Sequence, residues 1–200
     1  TTPLTFCATS NSVIHTGAKP VFVDVDRTTQ NIDPSGIEAA ITENTRAILP
    51  VHFAGRPCDM DAIGAIAESK DLLVIEDAAH ALEARYKGRR VGSISPLTCF
   101  SFYVTKNITT GEGGMVTTND PALAKTIQTA ALHGLSADAW ERFGDKGYKH
   151  YEVVLPGYKY NLTDIASSIG LVQLSKIEGW LERRNEIWAR FDEAFANLPL

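Results

Sequence analysis

The chain has 200 residues, 44% of them hydrophobic, and a formal net charge of -5 at pH 7. That is enough apolar material for one sizeable core, while the acidic balance has no basic stripe to hold nucleic acid and no apolar run reaches the roughly 18 residues of a membrane-spanning helix. No charged-then-apolar leader pattern opens the chain, and the three cysteines, Cys7, Cys58 and Cys99, show no CxxC spacing, so free thiols in a soluble cytoplasmic protein are expected rather than a disulfide framework or a metal site.

Taken in chain order, residues 20–24 (PVFVD), 47–51 (AILPV), 72–76 (LLVIE) and 97–102 (LTCFSF) are short apolar runs. Their length and β-branched content predict buried strands. Helical stretches lie between them: Ser35 to Thr42 behind Asp33-Pro34, and Met60 to Ser69 with apolar residues at helical spacing. After Gly114, MVTT reads as another strand, and Asp120-Pro121 starts a helix to about Leu132. Residues 134–158 read as a long loop, a length that tends to mark functional or disordered segments. Thr163-Asp164 opens a last helical region carrying Ile165, Ile169, Val172 and Leu174, with a break predicted at Gly179 before a final helix holding Trp180, Ile187, Trp188 and Phe191. Strands alternating with helices predict an α/β fold, a mostly parallel sheet with helices on both faces. The chain opens at Thr1 without Met and stops just after a helical pattern, so a fragment of a longer protein is expected.

In open α/β sheets, ligands sit outside the carboxyl ends of the strands. Two strand ends carry reactive side chains. Glu76-Asp77-Ala78-Ala79-His80 follows LLVI, and Lys106 follows CFSFY, with Gly111, Gly113 and Gly114 just beyond. Taken singly, each has an ordinary reading. Lys106 would be one solvated lysine among many, Asp77 a helix cap, His80 a hydrogen-bonded structural histidine, Ser101 a plain strand serine. The glycines make no dinucleotide fingerprint, since a GxGxxG from Gly111 would need glycine where Val116 stands. Taken together, a lysine and an aspartate on strand ends suit pyridoxal phosphate. The amine forms a Schiff base, and the ionised carboxylate keeps the pyridine nitrogen protonated. Ser101 is placed to donate to the phosphate, and the glycine turn lets backbone pass close to the cofactor.

The sequence resembles the DegT/StrS-type sugar aminotransferases, which are fold-type-I pyridoxal-phosphate enzymes. The resemblance rests on TGAKPVFVDVD (16–26), AILPVHFAG (47–55), VIEDAAHA (74–81), FSFYVTKNITTGEGGMV (100–116), LHGL (132–135) and PGYKYNLTDIASSIGLVQL (156–174), in matching order across nearly the whole chain. The GYKYNLTD variant looks closest to the branch that aminates UDP-4-keto pentoses in lipid A modification. What the resemblance implies is a three-layer α/β/α large domain over residues 1–200, without the N-terminal phosphate-binding loop and the C-terminal small domain. It implies Lys106 as the Schiff-base lysine, Asp77 as partner of the pyridine nitrogen, and His80 beside the ring and its 3′-oxygen. It also implies Ser101 on the phosphate, Phe6 stacked on the ring, and Lys159 or Asn161 reaching the phosphate of a neighbouring subunit's cofactor. Many members read GxNYR where this chain has GYKYN, which leaves open whether Lys159 or Asn161 makes that contact.

The expected activity is transfer of an amino group from glutamate to a nucleotide-linked keto-sugar by a homodimer with shared active sites, in polysaccharide biosynthesis. Two rivals follow from the same resemblance. Sugar dehydratases of this kind have histidine in place of the lysine, and Lys106 argues against them. A non-catalytic cofactor-binding sensor of the same fold would not need Lys106, Asp77 and Ser101 all intact.

Overall fold

The computed structural model describes residues 1–136 and 151–198. Its elements are α1 (Cys7–His15), α2 (Pro34–Ala40), β1 (Ala47–Ile48), α3 (Met60–Ser69), β2 (Leu73–Asp77), β3 (Arg85–Tyr86), β4 (Arg89–Arg90), β5 (Leu97–Ser101), β6 (Gly114–Thr117), α4 (Pro121–Ala131), α5 (Asp164–Leu174) and α6 (Ile177–Phe195). The helix starts follow local chemistry. Asp33, Asp59, Asp120 and Thr163 each accept from a first-turn amide, and Pro34 and Pro121 sit where no helical amide is needed.

The main sheet runs β1-β2-β5-β6. β1, β2 and β5 are parallel, with Ile48 opposite Val74 and Asp77 opposite Cys99. β6 returns antiparallel, with Ser101 opposite Gly114. Strand pleating then sorts the side chains into two sets. Val74, Glu76, Thr98 and Phe100 point to one face and are buried. On that face Met60, Ile63 and Ala67 of α3 pack with Ile48 and Val74, and Ile177 of α6 packs with Phe100, Phe102 and Val91. Asp77, Cys99 and Ser101 point the other way and are only half-buried. There α1 approaches through Thr9, whose Oγ1 donates to Asp77.

Two local readings change, and one hairpin is added. Residues 20–24 form no strand; Val23 N–H donates to Thr1 C=O at 2.8 Å and Val25 makes a lone bridge to Ile32. Among the described residues no strand pairs with this run, and Val21 and Phe22 are 49% and 50% exposed, so its apolar side chains lack a sheet to join. The helix break falls at Ser175–Lys176, and Gly179 lies inside α6. A β3–β4 hairpin turns through Lys87 (φ 49°) and Gly88 (φ 82°), two left-handed residues in the manner of a tight hairpin turn. The long-loop reading at 134–158 lies outside the described residues for 137–150; at its ends, Ser136 N–H donates to Glu152 C=O at 2.9 Å and Val154 N–H to Gly134 C=O at 2.8 Å.

Candidate active site

β2 and β5 end side by side, and the next residues of each carry the reactive groups. Lys106 is held on a pinned loop. Its amide donates to Tyr103 C=O at 2.9 Å, closing a turn. The loop base is tied where Thr110 N–H and Thr109 Oγ1 both donate to Phe102 C=O at 3.0 Å, and where Phe102 N–H donates to Gly113 C=O at 2.8 Å. Gln173 of α5 accepts the Thr109 amide at 2.9 Å. Glycine is required at two points of this loop. Gly111 has φ +82°, and at Gly113 (φ +155°) a Cβ would stand 2.5 Å from Thr110 Oγ1.

Lys106 Nζ lies 2.6 Å from His80 Nε2. An ammonium donates and a neutral imidazole accepts, so this contact fits a neutral ring with its proton on Nδ1. His80 is largely exposed as a residue, yet partial desolvation of the ring, helped by the Lys106 charge, holds its pKa below the usual histidine value; the Asp77 charge pulls the other way. Asp77 is held at both oxygens, with Oδ1 accepting from Ala79 N–H at 3.2 Å and Oδ2 from Thr9 Oγ1 at 2.7 Å. Beside it Cys99 has its thiol pKa pushed up by burial first, then by the charges of Asp77 and Glu76, which makes it a packing residue rather than a nucleophile.

Lys106, His80, Asp77 and Ser101 therefore converge at one sheet edge. Ser101 Oγ accepts from the Tyr103 amide at 3.3 Å. Phe6 precedes α1 and is 77% exposed, three residues before Thr9. Lys159 and Asn161 stand in a segment that is tied to α4 and whose Leu162 packs beside Gly113 of the Lys106 loop. Tyr158 and Tyr160 donate their amides to Ala130 and Ala131 at the end of α4, and Lys159 bridges to Leu132. Among the described residues no hydrogen bond or ion pair joins Lys159 or Asn161 to the strand-end group. Thr9 is the contact that sequence reasoning missed, since nothing in TFCATSNS distinguishes one hydroxyl from another.

One cavity, about 510 Å³, is lined by Leu82, Val91, Phe100 and Ile177 on the core face of the sheet, away from these groups. A second, of about 350 Å³, opens beside His80 between the Ala54–Gly55 turn and α6, with Asn107, Arg184 and Trp188 on its walls.

This parallel-sheet fold with lysine, aspartate, histidine and serine at adjoining strand ends has close counterparts. Residues 1–200 match the DegT/DnrJ/EryC1/StrS aminotransferase family, and the chain belongs to it. The spore coat polysaccharide biosynthesis protein SpsC of Bacillus subtilis is 52% identical over 199 residues, covering 100% of this chain and 51% of SpsC. Among solved structures, the PLP form of Spr1654 from Streptococcus pneumoniae superposes with a TM-score of 0.87 at 37% identity, over 97% of this chain and 52% of that one. Helicobacter pylori PseC, an aminotransferase involved in the biosynthesis of pseudoaminic acid, superposes with a TM-score of 0.91 at 32% identity, over 99% of this chain and 51% of PseC. The chain thus spans about half the length of the relatives it matches.

Proposed function

We propose that this chain is the large, cofactor-binding domain of a pyridoxal-phosphate aminotransferase that moves an amino group from glutamate to a nucleotide-linked keto-sugar. The observation that carries the reading is the Lys106–His80 contact at 2.6 Å next to a doubly held Asp77 carboxylate, at adjoining parallel-strand ends. The donor set fits the cofactor: an amine for its aldehyde, a carboxylate with lone pairs left for a protonated ring nitrogen, a hydroxyl at Ser101 for its phosphate, and an exposed Phe6 ring free to stack.

When bound, pyridoxal phosphate supplies an aldehyde that bonds to amines and a ring that spreads the electron pair left by deprotonation. The Lys106 amine would hold its aldehyde, and Lys106 Nζ would be the base that moves the donor's α-proton, which a tethered amine does at hydrogen-bond range. Asp77 holds the ring nitrogen's proton through its charge. His80 accepts from Lys106 Nζ and keeps the amine aimed. The sugar class is supported by the polysaccharide role of SpsC and by the family itself, and the cavity beside His80 offers room for a substrate.

The test adds glutamate to the whole protein loaded with cofactor. Conversion of the bound cofactor's absorbance to that of its amine form, with 2-oxoglutarate released, is the expected result, followed by turnover on a panel of nucleotide-linked keto-sugars. Bound cofactor that glutamate leaves unchanged would mark a sensor rather than a catalyst. We also propose a homodimer in which Lys159 or Asn161 serves the partner's site. Mixing inactive Lys106→Ala with inactive Lys159→Ala/Asn161→Ala should then restore roughly a quarter of the wild-type sites through random re-pairing in a two-fold dimer. No recovery despite proven subunit exchange sinks the shared site.

A further inference from the structure

The two oxygens of Asp77 are held by different parts of the chain, and the second holder is built with some care. Thr9 Oγ1 donates to Oδ2 at 2.7 Å and also lies 2.7 Å from Thr5 Oγ1. A threonine hydroxyl has one proton. Thr9 gives its proton to Asp77, so it accepts from Thr5, and the hydrogen bonds run one way from Thr5 to Thr9 to Asp77. Thr9 is 4% exposed and is the third residue of α1, where its amide donates to Phe6 C=O at 3.1 Å. A buried, β-branched side chain on a tied helix start has little rotational freedom. The carboxylate of an aspartate, by contrast, turns about a broad torsion, so the β2 backbone alone does not set its plane.

We propose that Thr9, backed by Thr5, is the positioning residue that sets the plane of the Asp77 carboxylate so that its remaining lone pairs face the ring nitrogen of the cofactor. This inference rests on the pyridoxal-phosphate reading above. Of roughly four lone-pair sites on a carboxylate, Thr9 and the Ala79 amide occupy two, one on each oxygen, and the rest are left for a ligand N–H.

The experiment compares Thr9→Val, Thr9→Ser and Thr5→Val in the whole protein. Three readings are taken: the cofactor dissociation constant, the visible circular dichroism of bound cofactor, and the rate of the glutamate half-reaction. Loss of one hydrogen bond to a charged group predicts about a ten- to hundredfold slower half-reaction in Thr9→Val, with weaker cofactor binding and an altered dichroic band. Thr9→Ser should recover most of each, and Thr5→Val should move all three the same way by a smaller factor. Thr9→Val matching the wild type overturns the proposal, as does Thr9→Ser behaving no better than Thr9→Val. Should Thr9→Val not fold, Thr5→Val decides: impairment in the three readings supports the relay, and wild-type behaviour overturns it. A wild-type protein that takes up no cofactor at Lys106 would overturn the parent reading instead.

Discussion

Glu76 and Asp77 are neighbours in sequence and opposites in environment. The pleat of β2 turns Glu76 into the core and Asp77 out to the strand-end site. Glu76 and its partner His52 are 0% exposed, with His52 Nε2 donating to Oε2 at 2.7 Å, Thr98 Oγ1 and the Ser95 amide donating to Oε1 at 2.9 and 3.1 Å, and the Cys58 amide donating to His52 Nδ1 at 3.1 Å. Because Nδ1 accepts, the histidine is neutral and its one proton goes to the carboxylate. Every lone pair used there is met by a protein donor, which is what a buried polar group needs to be tolerated. Asp77 is half-buried beside His80 and Lys106, whose side chains meet each other at 2.6 Å. The lesson is that one acid braces the strand, while the other is left free at its end for the role proposed above. The brace also reaches its neighbour, since His52 N–H donates to Asp77 C=O at 3.0 Å.

If that division is right, mutations on the Asp77 side should cost activity and spare the fold. Lys106→Ala is the most severe: it should abolish borohydride labelling and turnover while leaving the unfolding midpoint of the whole protein nearly unchanged, because a half-exposed loop lysine contributes little packing. Label recovered on any other lysine breaks the assignment. Asp77→Asn comes next. It keeps the shape and removes the charge that favours a protonated ring nitrogen, so cofactor should bind while the glutamate half-reaction slows by orders of magnitude. Near-normal turnover would mean that another acid fills the role.

How much of this was legible in the sequence follows from the same division. The inner strands β2 and β5, and the turn after Lys106, were readable because buried strands must be apolar and left-handed turns favour glycine. The convergence of Lys106, Asp77, His80 and Ser101 followed from strand ends sharing an edge. The run at Val21–Val23 misled because apolar composition does not say whether a partner strand is present. Helix α1 was not read because CATSNSVIH lacks a strong apolar stripe and starts without a side-chain cap. The sequence predicts the helix break at Gly179, but the chain turns at Ser175–Lys176, where the α5 cap bonds close; a glycine is tolerated inside a helix long enough to carry it. Thr9 and the His52–Glu76 pair depend on contacts across 68 and 24 residues of sequence, and no local pattern encodes such a distance.

On the Glu76 side the prediction reverses: stability should suffer first. Glu76→Gln leaves an amide facing donors that need an acceptor, for a cost on the order of 3 kcal/mol in urea unfolding of the whole protein. The pH dependence carries a sign. Burial pushes the Glu76 pKa up, but the hydrogen bonds from His52, Thr98 and Ser95 outweigh it and the net shift is downward. A carboxylate with a depressed folded pKa contributes stability fully above its unfolded value, about 4.3, and loses it as pH falls through the folded pKa. Wild-type stability should therefore drop with acid below about pH 4.3, and Glu76→Gln should flatten that slope. An unchanged slope would put the acid sensitivity on other groups.

The smallest effect is expected from His80→Ala, which sharpens the comparison because it touches the site without touching the charge of Asp77. The imidazole accepts from Lys106 Nζ and is largely exposed; its removal costs one hydrogen bond to a charged group and almost no packing. About a tenfold slower half-reaction is expected, with an unfolding midpoint close to wild type. Glutamine in the same position offers a side-chain oxygen as acceptor, so His80→Gln should recover part of the loss. The pH profile separates this role from bulk. Desolvation and the Lys106 charge, opposed by Asp77, hold the ring's pKa below the ordinary histidine value of about 6.5. His80 is then neutral at pH 7, and protonation removes its acceptor only at more acid pH. The wild-type half-reaction should show an acid limb below about pH 6.5 that is missing in His80→Ala and in His80→Gln. A limb that survives in both variants would assign it to another group and leave His80 as a spacer.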